Sequence, residues 1–144
     1  MNESTNYRVL RSVGGLFELL AEDGRRISCR ARGNLRRGDG RVLVGDLVTV
    51  AEDEHGEAAI DSVVTRRNAL IRPPLANLDE VIAVASVRDP VTQTDTLDKL
   101  LVILEHNAIG ATVVLSKCDL DAEVAEQLAK TYLSAGYRVF CVSS

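Results

Sequence analysis

Residues 111–119 of the chain read ATVVLSKCD, an apolar run that passes directly into a polar turn. The run Ala111–Leu115 has the length and composition of a strand buried inside a parallel sheet. Parallel α/β sheets bind their ligands at the carboxyl ends of the strands. The polar residues that follow the run, Ser116 to Asp119, are therefore the first candidate site.

The segments on either side of this run alternate between strand and helix. Upstream, Val81–Val87 (VIAVASV) is nearly all apolar, which predicts a strand buried on both faces, and Thr94–Asn107 carries leucines at helical spacing. Downstream, Asp121 can cap a second helix that ends at Gly136, and Tyr137–Val142 predicts a third strand. The order β-α-β-α-β predicts parallel strands joined by right-handed crossovers, which is half of a doubly wound sheet.

The first half of the chain has a different pattern, in which glycine-containing breaks separate short apolar runs. Regularly spaced short strands predict a small all-β barrel or sandwich. Five strands in so short a segment favour an OB-like barrel, although an SH3-like barrel would show the same pattern. The predicted strands are Tyr7–Val13, Leu16–Ala21, Ile27–Arg32, Val42–Val50 and Ala58–Val64.

The two halves meet in Ala69–Asp79 (ALIRPPLANLD), where Pro73 and Pro74 disfavour helix and favour an extended connector. The sequence therefore predicts three parts: an OB-fold barrel over residues 1–68, a linker over 69–79 and a partial α/β domain over 80–144.

The composition is that of an ordinary soluble protein, with 46% apolar residues, 26% charged residues and a net charge of -4. No apolar run approaches the roughly 18 residues that a membrane span needs, and the polar N-terminus lacks the apolar core of a secretory signal. Cys29, Cys118 and Cys141 lie far apart and form no CxxC pair. We therefore expect a cytoplasmic protein without a metal site or a disulfide scaffold, in which Cys118 and Cys141 are small buried apolar residues.

Residues 25–41, here called the basic segment, contain seven arginines and one acidic residue. The planar guanidinium fork matches phosphate, so the segment predicts contact with a nucleic-acid backbone. The scarcity of aromatic residues favours structured RNA recognised by backbone and shape over the reading of single-stranded bases. The alternative is a solvated charged face balanced by nearby acids. The arginines are Arg25, Arg26, Arg30, Arg32, Arg36, Arg37 and Arg41.

The polar turn after Leu115 has the chemistry to read guanine. Asp119 can accept hydrogen bonds from the N1–H and N2–H groups of guanine, whereas adenine offers no such pair of donors. The stem of Lys117 can lie over the base, and the Ser116 hydroxyl can anchor the loop. Ser143 and Ser144, after the third strand, can supply a backbone N–H for the guanine O6 atom. The alternative is an ordinary strand-to-helix turn in which an aspartate serves only as the helix cap.

With both halves in view, the chain resembles the small-ribosomal-subunit-dependent GTPase A family, whose G domain is circularly permuted. The order of the matching blocks along the chain is more specific than any single block. The blocks are Cys29–Gly33 (CRARG), Val44–Val48 (VGDLV), Arg67-Asn68, Arg72–Asp79 (RPPLANLD), Lys117–Leu120 (KCDL) and Gly136-Tyr137.

The resemblance implies a GTPase that is stimulated by the small ribosomal subunit and assists its late maturation, with the OB barrel on ribosomal RNA. It implies guanine reading by Lys117 and Asp119, with Ser143 in the later guanine-binding segment. Ser116 stands where the family usually has asparagine, and Ser144 stands where GTPases usually have alanine. The implied partners are the small subunit with its rRNA and a guanine nucleotide, and we expect a monomer without membrane contact.

In that family the phosphate-binding GxxxxGKS loop, the switch segments and the zinc-binding domain follow the guanine-reading segments. The present sequence contains no GxxxxGK[ST] motif. We therefore expect no catalytic residue here, weak or absent GTP and GDP binding, and Mg²⁺ and Zn²⁺ only in the longer family protein. Two alternatives stay open: a stand-alone OB-fold rRNA- or ribosome-binding module without nucleotide function, and an interaction fragment without activity.

Overall fold

The computed structural model describes residues 6–35, 40–52 and 54–143 of the 144-residue chain. The chain divides into two compact units, Met1–Leu78 and Asp79–Ser144. The first unit is built from strands, and the second alternates strands and helices.

Five strands of the first unit form a closed barrel in the order β1-β2-β3-β5-β4, which confirms the predicted OB-like barrel. The barrel closes through an antiparallel β1–β4 pair and a parallel β3–β5 pair. All five strands contribute side chains to its core, in which Leu19, Val48 and Ile60 are fully buried. The strands are β1 (Tyr7–Val13), β2 (Leu16–Ala21), β3 (Arg26–Ala31), β4 (Leu47–Glu52) and β5 (Ala58–Val63).

The fourth strand begins at Leu47 and not at Val42 as predicted. Gly45 adopts a φ of +93°, a left-handed conformation that ends any extended run through this position. The residue before it, Val44, forms an isolated parallel bridge with Leu75, far along the chain. Apolar composition alone could not show that this segment pairs outside the barrel.

The segment 69–79, where the sequence predicts a linker, contains a short antiparallel hairpin of β6 (Ala69–Leu70) and β7 (Leu75–Ala76). Two side-chain amides fasten its base. Asn68 exchanges two hydrogen bonds with the backbone of Leu78, each 2.8 Å long, and Asn77 donates to the Gly45 carbonyl at 3.0 Å. These bonds satisfy backbone groups that a free connector would leave to water.

The second unit is a three-stranded parallel sheet in the order β10-β9-β8 with two helices, which confirms the predicted β-α-β-α-β arrangement. Leu97 and Leu101 of the first helix and Ala125 and Tyr132 of the second pack into one core with the sheet. Neither helix in the described part of the chain is long and apolar enough to cross a membrane. The elements are β8 (Glu80–Ser86), α1 (Thr94–His106), β9 (Gly110–Ser116), α2 (Ala122–Ser134) and β10 (Arg138–Cys141).

The prediction that Val81–Val87 is buried on both faces was wrong. Ala83 and Ala85 are 4% and 5% exposed, whereas the alternating Ile82 and Val84 are 65% and 64% exposed. The two helices share one core with the alanine side of the strand, and no described element covers the other side. An apolar run therefore indicated the strand correctly but not how many of its faces are covered.

Candidate functional sites

The polar turn lies at the carboxyl edge of the parallel sheet, as the sequence predicted. In register, Ser86 of β8 stands beside Ser116 of β9, and Cys141 of β10 stands beside Leu115. The chain beyond β10 continues along the turn, because the Cys118 amide donates to the carbonyl of the residue after Cys141 at 3.2 Å. Three strand ends thus meet at one edge, where parallel sheets bind ligands.

Ser116 anchors this turn to the neighbouring strand. Its hydroxyl donates to the Ala85 carbonyl at 3.5 Å, which is the outer limit of a hydrogen bond. Its backbone carbonyl accepts the Val87 amide at 3.1 Å. The backbone bond therefore holds the turn more firmly than the side chain does.

Lys117 occupies the left-handed region with a φ of 58° and leads into a single 3-10 turn, Cys118–Leu120. Its ammonium donates to the backbone carbonyl of Asp89, in the loop between β8 and α1. Left-handed backbone is uncommon for a residue other than glycine or asparagine, and such residues cluster at functional sites. The lysine head is thus held in a polar position beside the turn.

The two aspartates of this region have different environments. Asp119 is exposed, and its carboxylate makes no hydrogen bond or ion pair with any other described residue. Asp121 caps α2, because its carboxylate accepts a hydrogen bond from the Val124 amide at 3.1 Å. The same carboxylate forms an ion pair with the Arg88 guanidinium, with 2.7 Å between Nη2 and Oδ2. The Val124 amide and then the Arg88 guanidinium lower the pKa of Asp121 below its usual value. Helix capping therefore accounts for Asp121 and leaves Asp119 without a structural role in the described residues.

Sequence reasoning missed the loop between β8 and α1. Arg88 reaches across to Asp121, and Thr92 closes the loop, since its hydroxyl accepts the Ser86 amide at 2.8 Å. The Asp89-Pro90 dipeptide, which favours a turn directly after an apolar strand, was the available signal. At the third strand end of this edge, the sequence predicted a guanine-binding segment formed by Ser143 and Ser144. Ser143 is exposed beyond the end of β10, and Ser144 lies outside the described residues.

The cysteines of this region differ from the prediction. Cys118 is half-buried, and its thiol donates to the Leu115 carbonyl at 3.2 Å. Cys141 is exposed, so the prediction of a small buried residue was wrong there. No group of three His, Cys, Asp or Glu side chains able to hold a metal ion occurs in residues 6–35, 40–52 and 54–143.

Acidic neighbours engage three of the arginines of the basic segment, as the solvated-face alternative expects. Such exposed pairs contribute little to stability and partly neutralise the positive charge. The pairs are Arg25–Asp23 at 2.6 Å, Arg26–Glu18 at 2.9 Å and Arg32–Asp61 at 2.5 Å.

Two further arginines of the basic segment, Arg30 and Arg41, are exposed and form no ion pair with a described residue. Arg36 and Arg37 lie outside the described residues. Arg30 lines a groove of about 1010 Å³ beside β3 and β5, and Glu54 and His55 are also among its lining residues. The described groove therefore presents both signs of charge.

Both units match known families. The family model described as RsgA N-terminal domain matches residues 8–60, and the model described as RsgA GTPase matches residues 63–144. The chain is 35% identical over 142 residues to the small ribosomal subunit biogenesis GTPase RsgA of Pediococcus pentosaceus, covering 95% of this chain and 46% of that protein. It is 36% identical over 138 residues to the RsgA of Streptococcus agalactiae serotype V, covering 94% of this chain and 47% of that protein.

Two solved structures share the fold. YloQ, described as a circularly permuted GTPase, superposes with a TM-score of 0.75 at 30% identity, covering 100% of this chain and 54% of that one. YjeQ from Thermotoga maritima superposes with a TM-score of 0.78 at 33% identity, covering 96% of this chain and 51% of that one. The chain thus spans about half the length of the relatives it matches. With matches in both units, the chain belongs to the RsgA GTPase family.

Proposed function

We propose that this chain carries the RNA-contacting barrel and the guanine-reading part of a GTPase that acts in biogenesis of the small ribosomal subunit. The observation that best supports guanine reading is the state of Asp119. Its carboxylate is exposed at the carboxyl edge of a parallel sheet and is bonded to no other described residue, while Asp121 caps the helix. The ribosomal partner rests on the relatives, which are named small ribosomal subunit biogenesis GTPases.

The chemistry of the edge suits guanine better than adenine. A carboxylate has two oxygens, and guanine presents the N1–H and N2–H donors side by side, so that Asp119 can accept both. Adenine presents an acceptor at N1 and would leave the carboxylate unpaired, which costs about 1–3 kcal/mol or more for a charged group. The backbone beyond β10, at the exposed Ser143, can supply an amide for the O6 atom.

Lys117 would border the plane of the base. Its ammonium is held by the Asp89 carbonyl, so the aliphatic stem runs between the 3-10 turn and the loop after β8. An aliphatic stem can cover an apolar face while its charged head stays in a polar setting. Lys117 thereby supports base stacking, and Asp119 supplies base identity.

Amide chemical shifts of the isotope-labelled chain test guanine reading even when binding is weak. Titration with GDP is expected to shift the amides of residues 116–119 and 142–143, whereas ADP at the same concentration is not. Asp119→Ala is expected to abolish the GDP response, and Asp95→Ala, which removes an exposed carboxylate from α1, is the matched control. Equal responses to GDP and ADP, or an unchanged response in Asp119→Ala, would refute guanine reading by this loop.

The barrel part of the proposal rests on Arg30 and Arg41, whose guanidinium groups are free of described acidic partners. Neutralising a phosphate releases counterions, so each lost contact reduces the salt slope of binding by about 0.7–0.9. Small-subunit binding by the double variant Arg30→Ala/Arg41→Ala is expected to weaken with a smaller slope. Arg11→Ala, which removes an exposed barrel arginine outside the basic segment, is the control. An identical slope in the double variant would favour the solvated-face alternative.

Hydrolysis is proposed for the longer relatives and not for these 144 residues. Phosphoryl transfer requires bound phosphates and a metal, and the sequence lacks the GxxxxGK[ST] motif that holds both. The purified chain is therefore expected to release phosphate from GTP no faster than its Asp119→Ala variant. A stand-alone RNA-binding module would fail the GDP titration while retaining the arginine-dependent salt slope, so the two experiments separate the alternatives.

A further inference from the structure

Two thiols stand next to each other at the carboxyl edge of the sheet. In register, Cys141 of β10 lies directly beside Leu115 of β9, and the Cys118 thiol donates to the carbonyl of that same Leu115 at 3.2 Å. The Cys118 amide donates to the carbonyl of Val142 at 3.2 Å. Cys118 therefore bonds to both the cross-strand neighbour and the chain neighbour of Cys141, which places the two cysteines next to each other, the arrangement that a disulfide requires.

Both side chains project on the helix-bearing side of the sheet. Successive strand residues alternate between faces, and Phe140 is 55% exposed, whereas Val139 packs against the core shared with the helices. Cys141 therefore points to the same side as Val139, and Cys118 packs against the same core. Partial desolvation of the sulfur and the adjacent Cys118 thiol raise the pKa of the Cys141 thiol.

We propose that Cys118 and Cys141 form a reversible dithiol–disulfide pair, a modification site placed inside the candidate guanine-reading loop. The oxidant is a low-molecular-weight disulfide such as oxidised glutathione. The thiolate of the exposed Cys141 attacks one sulfur of oxidised glutathione and expels one glutathione thiolate, which leaves a mixed disulfide between Cys141 and the other glutathione. The Cys118 thiolate then attacks the Cys141 sulfur of the mixed disulfide and expels the second. Two protein thiols are oxidised, one disulfide is reduced to two thiols, and the two protons pass to the released glutathione.

The disulfide would change the loop that carries Lys117 and Asp119, which flank Cys118. To reach the Cys141 sulfur, the Cys118 thiol leaves the Leu115 carbonyl, and the peptide that connects it to Asp119 moves with it. Oxidation is therefore expected to weaken guanine binding, and this part rests on the proposed function.

The chemical test is incubation of the folded chain with oxidised glutathione at mildly alkaline pH, followed by thiol counting and peptide mapping by mass spectrometry. The expected result is loss of two of the three thiols and a linked peptide that joins Cys118 to Cys141, with Cys29, which is 4% exposed, unreacted. Cys118→Ser is expected to stop at a mixed disulfide on Cys141. A wild-type chain that keeps glutathione on Cys141 with Cys118 free, or that does not react, would overturn the proposal.

A second readout separates this inference from the guanine proposal. The GDP-induced shifts of the reduced chain are expected to be lost on oxidation and restored by dithiothreitol, while Cys141→Ser keeps them under both conditions. Retained shifts in a chain with a mapped Cys118–Cys141 disulfide would overturn the effect on binding. If the reduced chain itself shows no GDP response, the proposed function fails, and the mapped disulfide still decides the thiol chemistry.

Discussion

The fully buried carboxylate of Asp46 receives the guanidinium of Arg66 through two nitrogens, Nε at 2.7 Å and Nη2 at 2.8 Å. The Leu43 amide adds a third bond to this carboxylate at 2.7 Å. Asp46 lies directly before β4, and Arg66 lies beyond the end of β5. Because β4 and β5 are antiparallel, the ion pair links the two chain segments at the same end of this strand pair. The Asp46 charge is tolerated although it is fully buried, because both carboxylate oxygens are bonded.

Removal of the Arg66 side chain is expected to destabilise the barrel strongly, because it leaves the Asp46 charge buried without a partner. The expected cost for Arg66→Ala is about 3–5 kcal/mol in the free energy of unfolding, measured from hydrogen exchange of barrel amides. Arg32→Ala, which breaks the exposed pair with Asp61, is the control and should cost about 0–1 kcal/mol. Equal losses in the two variants would contradict a special role for the buried pair.

Gly45→Ala is expected to disrupt the contact between the barrel and the hairpin of β6 and β7. A Cβ atom at Gly45 would lie 2.0 Å from the Ala76 carbonyl oxygen, and the φ of +93° is itself unfavourable for alanine. Gly14→Ala is the matched control, because Gly14 has a φ of +58° but nothing within 4 Å of its would-be Cβ. Thermal unfolding should show a clearly larger loss for Gly45→Ala, and a loss no larger than that of Gly14→Ala would refute the close contact.

The region around Gly45 illustrates which features of the fold the sequence could not predict. β4 begins only at Leu47, because Gly45 interrupts the extended backbone and Val44 pairs instead with Leu75, a residue far along the chain. By contrast, α1 was predicted over Thr94–Asn107 and found over Thr94–His106, because its leucine spacing is a local signal.

In the candidate site as well, local features could be predicted from the sequence and long-range contacts could not. The predicted cap at Asp121 was confirmed, since a cap requires only the residues of the first helical turn. The partner of Arg88 and the exposure of Cys141 depend on how separate strands come together at the sheet edge. Their geometry could not be predicted from spacing along a single chain.

The separate roles of Asp119 and Asp121 predict that only substitution of Asp121 lowers the stability of α2. Asp121→Ala removes the cap and the partner of Arg88, and it is expected to cost about 1 kcal/mol, with reduced amide protection in the first turn of α2. Asp119→Ala is expected to leave that protection unchanged. Comparable loss of protection in both variants would show that Asp119 also supports the helix.

Tyr132 predicts a stability change at alkaline pH. Burial and then the Asp98 carboxylate, which accepts its hydroxyl at 2.9 Å, raise the pKa of Tyr132 to about 12. An unfolded tyrosine loses its proton near pH ~10, so the stabilisation is complete below that pH and is lost as pH rises toward 12.

The measurement is the free energy of unfolding of the second unit between neutral and alkaline pH. Tyr132→Phe should cost about 1 kcal/mol at neutral pH for the lost hydrogen bond, and its stability should fall less steeply above pH ~10. Parallel curves for the two proteins would rule out Tyr132 as the source of the pH dependence.

The central claim is that Asp119 reads guanine. Its most direct test compares two ligands that differ in one donor of the base, GMP and IMP, in the wild-type chain and in Asp119→Ala. IMP lacks the N2 amino group of GMP, so the wild-type chain should bind GMP more tightly than IMP in amide-shift titrations, by a factor that reflects one charge-assisted hydrogen bond. In Asp119→Ala this preference should vanish, with GMP and IMP binding equally weakly. The same preference for GMP over IMP in Asp119→Ala as in the wild-type chain would contradict the account.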